Sequence, residues 1–340
     1  MSAMELHEDL KRVASEVEIL SESHYRFCGE VRDTQAPGLV PLSEIGRPVD
    51  LEAGRTRLLA FVESELYQRL YRRPADGIGR SVVSGGADHA FLESLSDANV
   101  GTGTWQPGWR ITGFSPDGLI GVAKDITCWV PPSGLQTAEE PLRPGAPCWV
   151  RVPKEIRHLV LGYYLAFGDA KANSGDDVET GTVRLYWNLT PAGALRYLRL
   201  LTTLFNEREI PFRSKVVGHS ALYQNADSGV LYIAKEDFAR SVRPLRRIHR
   251  ELAHEIRDAV PMFTKRLAPG LGLAEDPLDG SSFGQSRCRI AAQGLWAGHL
   301  AGRRSAGDRL QAIAALFRGS GLDPARPYLR TQSEDIYALS

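Results

Sequence analysis

The chain has 340 residues, 43% of them hydrophobic and 24% charged, a composition that supports a sizeable core and leaves room for two structural units. Lys plus Arg number 41, as do Asp plus Glu, so net charge gives no general attraction to nucleic acid or to an anionic membrane. Cys28, Cys128, Cys148 and Cys288 contain no CxxC pair, which argues against a zinc site or a dense disulfide framework and for reduced thiols in the cytoplasm.

The opening "MSAMELHEDLKRVASEVEIL" carries acids throughout and lacks the apolar segment of a secretory signal, and no window reaches the roughly 20 apolar residues of a membrane span. Leu6, Leu10, Val13, Val17 and Leu20 predict a helix over 4–20. Leu58, Phe61, Val62, Leu66 and Leu70 predict a second, ended by Pro74. Residues 75–104 are rich in Gly, Ser and Asp and read as a long connection, so 1–104 form a helical region with a linker. "WRITGFSPDGLIGVAKDITCWV" reads as a hairpin turned by Ser-Pro-Asp-Gly.

An acidic loop over 168–181 leads into the strand "VRLYWNL". Residues 191–209 then read as a helix. Thr190 can cap it, Pro191 suits its first turn, and Ala194, Tyr197, Leu198, Leu201 and Phe205 form its stripe. "FRSKVVG" and "GVLYIA" read as strands, and 236–319 as mostly helical. The order helices, strands, helices predicts an α+β fold, a mostly antiparallel sheet flanked by helices. No period of 20 to 50 residues repeats, which excludes solenoids and propellers.

Side chains alternate faces along a strand, so Arg184, Tyr186 and Asn188 share one side of "VRLYWNL", and Arg213 and Lys215 share one side of "FRSKV". Such a row is either a wet edge-strand face or the floor of a site. In "DPLDGSSFGQSRCRIAAQGL" a helix start near Ser282 offers unpaired N–H groups to an anion, and Arg287 one turn in could add a guanidinium fork; a plain Ser-capped helix gives the same pattern. Lys265 precedes a Pro-Gly loop. Arg240, Arg243, Arg246, Arg247 and Arg250 fit a solvated helix face or a contact to a leader peptide or phosphate. "GVAKD" lacks the Gly-rich loop and catalytic Asp of a kinase, and GxSxG, HExxH and GxxxxGK[ST] are absent. The eight histidines show no metal-ligand spacing.

The ordered series "WQPGWRI", "VRVPKE", "GYYLAFG", "VRLYWNL", "PFRSKV", "GVLYIA", "FTKRLAPGLGLAEDP" and "SSFGQSRC" resembles the HopA-type effector family over about 105–337. Members of that family also occur in biosynthetic clusters for ribosomal peptides such as class V lanthipeptides and thioamitides. The resemblance implies a phosphothreonine-lyase-like α+β domain over 105–340, without metal or cofactor. It implies a β-elimination in which a separate kinase phosphorylates Ser or Thr of a precursor peptide and this protein removes phosphate, leaving dehydroalanine or dehydrobutyrine. By position, Lys215 would be the base and Arg184 and Tyr186 would stand for a Lys-x-His pair. Arg287 would bind phosphate, with Arg213, Lys265, Ser282, Arg289 and Asn188 as further substrate contacts. Lysine titrates near 10.4 in water, and burial beside Arg184 and Arg213 would favour the neutral amine a base requires. In "LYQNADSGVLY" the family commonly shows Tyr-x-Arg-x-Asp; Asn225 stands at the arginine position, which would move that contact to Arg213, Lys265 or Arg289. Asn225 motivates a second reading, a non-catalytic subunit of the same fold that grips the peptide or docks the kinase.

Overall fold

The computed structural model describes residues 5–36, 54–75, 86–124, 127–157, 162–170, 181–277 and 279–339. The first expected helix is shorter than its stripe: α1 spans Glu8–Glu16, and Val17–Ile19 turns into a strand, β1. β1 pairs with β2 (His24–Phe27), and β2 with β3 (Glu30–Asp33), both antiparallel. Buried Val17 and Ile19 join Tyr25 and Phe27 in the core. A short β-branched apolar run fits either helix or strand by pattern, and cross-strand packing decides it.

The second expected helix is α2 (Arg55–Glu65), continued by a π-helical stretch, Leu66–Tyr71. The connection expected over 75–104 instead holds α3 (His89–Ala98), capped by Asp88 accepting from Phe91 N at 3.1 Å. Residues 76–85 of that stretch lie outside the described residues.

Among the described residues the strands form three sheets rather than the single one expected. β4 (Thr104–Phe114), β5 (Ile120–Ala123), β6 (Thr127–Val130), β7 (Leu135–Gln136) and β8 (Pro147–Val152) make a small antiparallel sheet in the order β6-β5-β4-β8-β7. The Ser-Pro-Asp-Gly turn forms as expected, with Gly118 N donating to Ser115 O at 3.1 Å. This sheet buries its own cluster of Trp109, Ile111, Ile120, Val122, Val130, Cys148 and Val150.

The central sheet has seven antiparallel strands: β9 (Glu155–Ile156), β10 (Tyr163–Phe167), β11 (Thr182–Trp187), β12 (Arg213–Val217), β13 (Gly229–Ala234), β14 (Lys265–Ala268) and β15 (Leu271–Glu275). Their order is β14-β15-β11-β13-β12-β10-β9. The expectation of helix across 236–319 fails at β14–β15. Their turn requires glycine, because Gly270 has φ +66° and a Cβ there would sit 2.2 Å from the Arg257 carbonyl. The acidic loop expected over 168–181 lies largely outside the described residues.

Val183, Leu185 and Trp187 turn to one face of β11, under α4 (Pro191–Asn206) and α5 (Phe238–Glu251). Thr190 caps α4 as the sequence predicts, accepting from Gly193 N at 3.1 Å. The Tyr197 hydroxyl and Ser214 Oγ lie 3.0 Å apart, and the Tyr197 ring packs on Trp187 at 5.3 Å. All five arginines from Arg240 to Arg250 are exposed on α5, whereas Leu245 and Ile248 are buried, as a solvated face requires. The opposite sheet face is covered by α2 with its π-helical continuation and by α6 (Phe283–Leu300), behind which α7 (Ala306–Gly319) packs. Leu58, Leu66 and Tyr71 share one buried cluster with Leu185, Tyr186 and Phe283. The hydrophobic core therefore runs through the boundary expected at 104/105. No helix among the described residues is long and apolar enough to cross a membrane.

Candidate functional site

Registry assembles the candidate site on the face of the central sheet away from α4. Arg184 lies opposite Tyr232, and Tyr232 opposite Arg213; one row along, Tyr186 lies opposite Val230, and Val230 opposite Lys215. The sequence suggests that β11 and β12 are neighbours, but β13 inserts between them. Tyr186 and Lys215 thus stand two strand spacings apart, about 10 Å at the backbone, across the short side chain of Val230. That register sets a phenol on one side and an amine on the other of Val230, itself buried, and this row is the trough of the candidate site. In the next row the guanidinium carbons of Arg184 and Arg213 sit over the Tyr232 ring at 5.5 and 4.7 Å. Lys215 Nζ lies 4.7 Å from the centroid of Tyr163 on β10.

Tyr186 is the hub. It is 4% exposed, and its hydroxyl accepts a hydrogen bond from Tyr71 at the end of the π-helical stretch. Burial pushes the Tyr186 phenol up to about 12, against the opposing pull of Arg184, the Tyr71 hydrogen bond and Lys215. At neutral pH it is therefore a protonated acid ringed by cations. Phe283 packs against it at 6.4 Å, and Arg287 stacks over Phe283 at 4.9 Å. Arg287 is 2% exposed, and burial lowers its guanidinium to about 10 despite Asp279 and Tyr186 nearby, so it remains cationic at neutral pH. Its Nε donates to Pro327 O at 2.7 Å, Nη2 to Leu329 O at 3.1 Å and Nη1 to Ser286 Oγ at 3.1 Å.

Arg184 pairs with Asp276. Burial would weaken its charge, but Tyr186, Tyr232 and Asp276 outweigh that and hold it above the ordinary arginine value. Its Nε is buried and has no acceptor among the described residues. An unspent charged donor this close to Tyr186 is costly to leave dry, and an anion would satisfy it.

Lys215, Tyr186, Arg184 and Arg213 thus share one face of the sheet, and Arg287 on α6 approaches Tyr186 through Phe283. Four other residues named from the sequence do not join them. Lys265 shares the opposite face with Leu273 and Leu185, where its Nζ donates to both carboxylate oxygens of Asp335 at 2.8 Å. Ser282 serves as the α6 cap, accepting from Gln285 N at 3.3 Å while Gln285 Oε1 accepts from Ser282 N. Arg289 points toward α2, 3.7 Å from Glu63. Asn188 follows the end of β11, and its Nδ2 donates to Ala259 O at 2.9 Å.

Tyr71 and Arg72 carry no sequence signal beyond the end of an amphipathic helix, yet both reach the site. Arg72 Nε donates to Asp227 Oδ1 at 3.3 Å, and its carbonyl accepts from Ala226 N at 2.8 Å. Burial opposes its charge, but Asp227 and the nearby Tyr163 and Tyr67 oxygens hold it above the ordinary arginine value. It stands beside Asn225, at the position where the resemblance expects an arginine. A cavity of about 180 Å³ opens where β11 and β12 begin, lined in part by Gln106, Phe167, Thr182, Arg213 and Tyr232.

A family model described as the HopA1 effector protein family matches residues 157–329, just over half of the chain. This chain belongs to the HopA1 effector protein family. The match contains the trough residues on β11, β12 and β13 together with Arg287, and omits the small sheet and the segment of Tyr71 and Arg72. Among solved structures, the chain is similar to the effector protein from Pseudomonas syringae pv. tomato strain DC3000, at 17% identity and a TM-score of 0.49, covering 96% of this chain and 97% of that one. It is also similar to the effector protein from Pseudomonas syringae pv. syringae strain 61, at 18% identity and a TM-score of 0.44, covering 81% of this chain and 90% of that one. No curated protein matches.

Proposed function

We propose that this HopA1-family protein is a phosphoserine or phosphothreonine lyase acting on a ribosomal precursor peptide phosphorylated by a separate kinase in the cytoplasm. One observation carries the reading: Lys215 and Arg184 share a sheet face with the buried, protonated Tyr186, and Arg184 keeps a buried donor with no acceptor among the described residues.

The chemistry suits the arrangement. Lys215, in its deprotonated form, would take the proton from Cα of the phosphorylated residue. That electron pair becomes the Cα=Cβ bond, the Cβ–O bond breaks, and its electrons leave with phosphate. Arg184 and Arg287 match the charge of the departing group, and Tyr186 donates to its oxygen. Arg213 and Arg72 would hold the remaining phosphate oxygens or the peptide, Arg72 supplying the guanidinium that Asn225 lacks.

A second reading has its own observation. The Arg287 guanidinium is spent on Pro327, Leu329 and Ser286, and Arg184 is paired with Asp276, as suits a scaffold that binds peptide or kinase without turnover. Incubation of the purified protein with a phosphoserine peptide and a phosphothreonine peptide separates the two. The lyase releases inorganic phosphate and leaves products lighter by one phosphoric acid. Unchanged peptide masses with retained peptide binding would select the scaffold.

A further inference from the structure

The larger cavity lies away from the trough. It measures about 410 Å³, and Phe27 and Leu70, both almost fully buried, form an apolar floor. Arg12, Arg69 and Arg73 stand around it with a single acid, Glu16, among its lining residues. Arg12 Nε donates to Glu16 at 2.9 Å, Arg69 sits over the Phe27 ring at 5.0 Å and 3.8 Å from Glu65, and Arg73 pairs with Asp9. Arg73 Nε is nevertheless buried without an acceptor among the described residues.

Backbone strain concentrates here. Of the five non-glycine residues with positive φ among the described residues, two line this cavity, Cys28 at +48° and Arg73 at +43°. Cys28 and Gly29, both at positive φ, form the two-residue turn between β2 and β3, a position that favours Asn, Asp or Gly. A cysteine there forgoes the preferred residue and places a thiol at the cavity. Strained non-glycine positions cluster at binding sites, where the surrounding fold holds them.

We infer that this pocket, with its apolar floor and three guanidinium groups, receives an acidic side chain, a Glu flanked by apolar residues, from the peptide whose phosphorylated residue enters the trough. The inference rests on the peptide-lyase reading for the identity of the occupant. The link to the trough is covalent and short. The stretch Leu66–Tyr71 turns Arg69 and Leu70 to the pocket and Tyr71 to Tyr186, and Arg73 follows Tyr71 by two residues, at most about 7.6 Å between Cα atoms. A peptide anchored by its Glu would lie along this stretch with its reacting residue directed toward Val230. Glu is favoured over free phosphate because each of the three arginines already faces one acid, Glu16, Glu65 or Asp9, which disfavours a dianion, and because the apolar floor accommodates the methylenes of the side chain.

Cys28 supplies a readout that is independent of turnover. Cys28 is exposed, and partial burial of its thiol together with the hydrogen bond it donates to Glu16 at 3.3 Å pushes that thiol up to about 11, so labelling is run at alkaline pH; Cys128 is half-buried, and Cys148 and Cys288 are buried. Alkylation of Cys28 in the full-length protein would be followed by peptide mass mapping in the presence of an unphosphorylated Leu-Phe-Glu-Leu peptide, its Leu-Phe-Gln-Leu counterpart, or inorganic phosphate. The Glu peptide should slow labelling at about tenfold lower concentration than the Gln peptide, the ratio expected for one charge-assisted contact. Arg12→Gln and Arg69→Gln should each erode that preference when labelling is normalised to the same variant's rate without peptide, since both guanidinium groups also lie near the Cys28 thiol. Equal protection by both peptides, or protection by phosphate alone, overturns the inference. If phosphopeptides are not cleaved but the Glu preference stands, the lyase reading has failed and the pocket has not.

Discussion

The two larger sheets use the same antiparallel pairing and put it to different ends. The small sheet β4–β8 packs one face over Trp109, Ile111, Val122 and Val150 and leaves Trp129 and Trp149 on the other, with exposures of 54% and 40%. Its buried cluster is made of apolar residues alone among the described residues. The central sheet is covered on both faces, yet β11 and β12 send Arg184, Tyr186 and Lys215 toward one of those covers. A polar residue on a wet face needs no reason. The same residue under a layer of helices costs desolvation unless partners or a ligand compensate it, which makes the buried row the candidate site.

That contrast can be broken by substitution. Lys215→Ala should lower turnover of a phosphopeptide by about 10³-fold, within the range for loss of a general base, with phosphopeptide affinity changed only a few-fold; loss of both together would reassign Lys215 to binding. Glu275→Ala tests the charged residues on the other face of the central sheet. Glu275 is 1% exposed and accepts from Lys235 Nζ at 2.8 Å, Ser333 Oγ at 2.6 Å, Tyr337 OH at 2.6 Å and Arg330 N at 2.8 Å. Removing it should cost about 3 kcal/mol by urea denaturation at pH 7, because Lys235 and the tail lose their shared partner.

Burial raises the Glu275 carboxyl, but Lys235, Ser333, Tyr337 and the Arg330 N–H outweigh it and hold the group below the usual carboxylate value. A carboxylate with a depressed folded value stabilises above its unfolded value and loses that contribution as pH falls through the folded one. The gap between wild type and Glu275→Ala should therefore narrow on acidification below about pH 4, near the unfolded value of a glutamate. A constant gap would show that packing, and not ionisation, carries the effect.

Tyr186→Phe should reduce turnover by about 10²-fold and stability by about 1 kcal/mol, since the Tyr71 hydroxyl loses its acceptor. The smallest effect belongs to the small sheet: Trp129→Ser on its exposed face should shift stability by no more than about 0.5 kcal/mol and leave turnover unchanged. A large loss of activity there would extend the site onto this sheet.

Local chemistry was legible in the chain itself. Thr190 and Pro191 announce α4, Ser-Pro-Asp-Gly announces the β4–β5 turn, and period-two alternation puts Arg184 with Tyr186 and Arg213 with Lys215, because each signal is written within a few residues. The strands at 17–19 and 265–275 were not legible, since runs that short satisfy helical and extended patterns equally until a partner strand pairs with them. Four of the nine residues named for the site, Asn188, Lys265, Ser282 and Arg289, bind carbonyls, carboxylates or a helix cap instead, roles that depend on neighbours far away in sequence.

Only the tertiary structure decided that β13 lies between β11 and β12, which widens the gap between Tyr186 and Lys215 into a trough floored by Val230. It alone brought Tyr71 and Arg72 from the N-terminal segment onto that face. The physical reason is range: alternation and capping act over one turn or one strand, whereas strand order and helix cover are settled by which apolar faces bury one another across the whole chain.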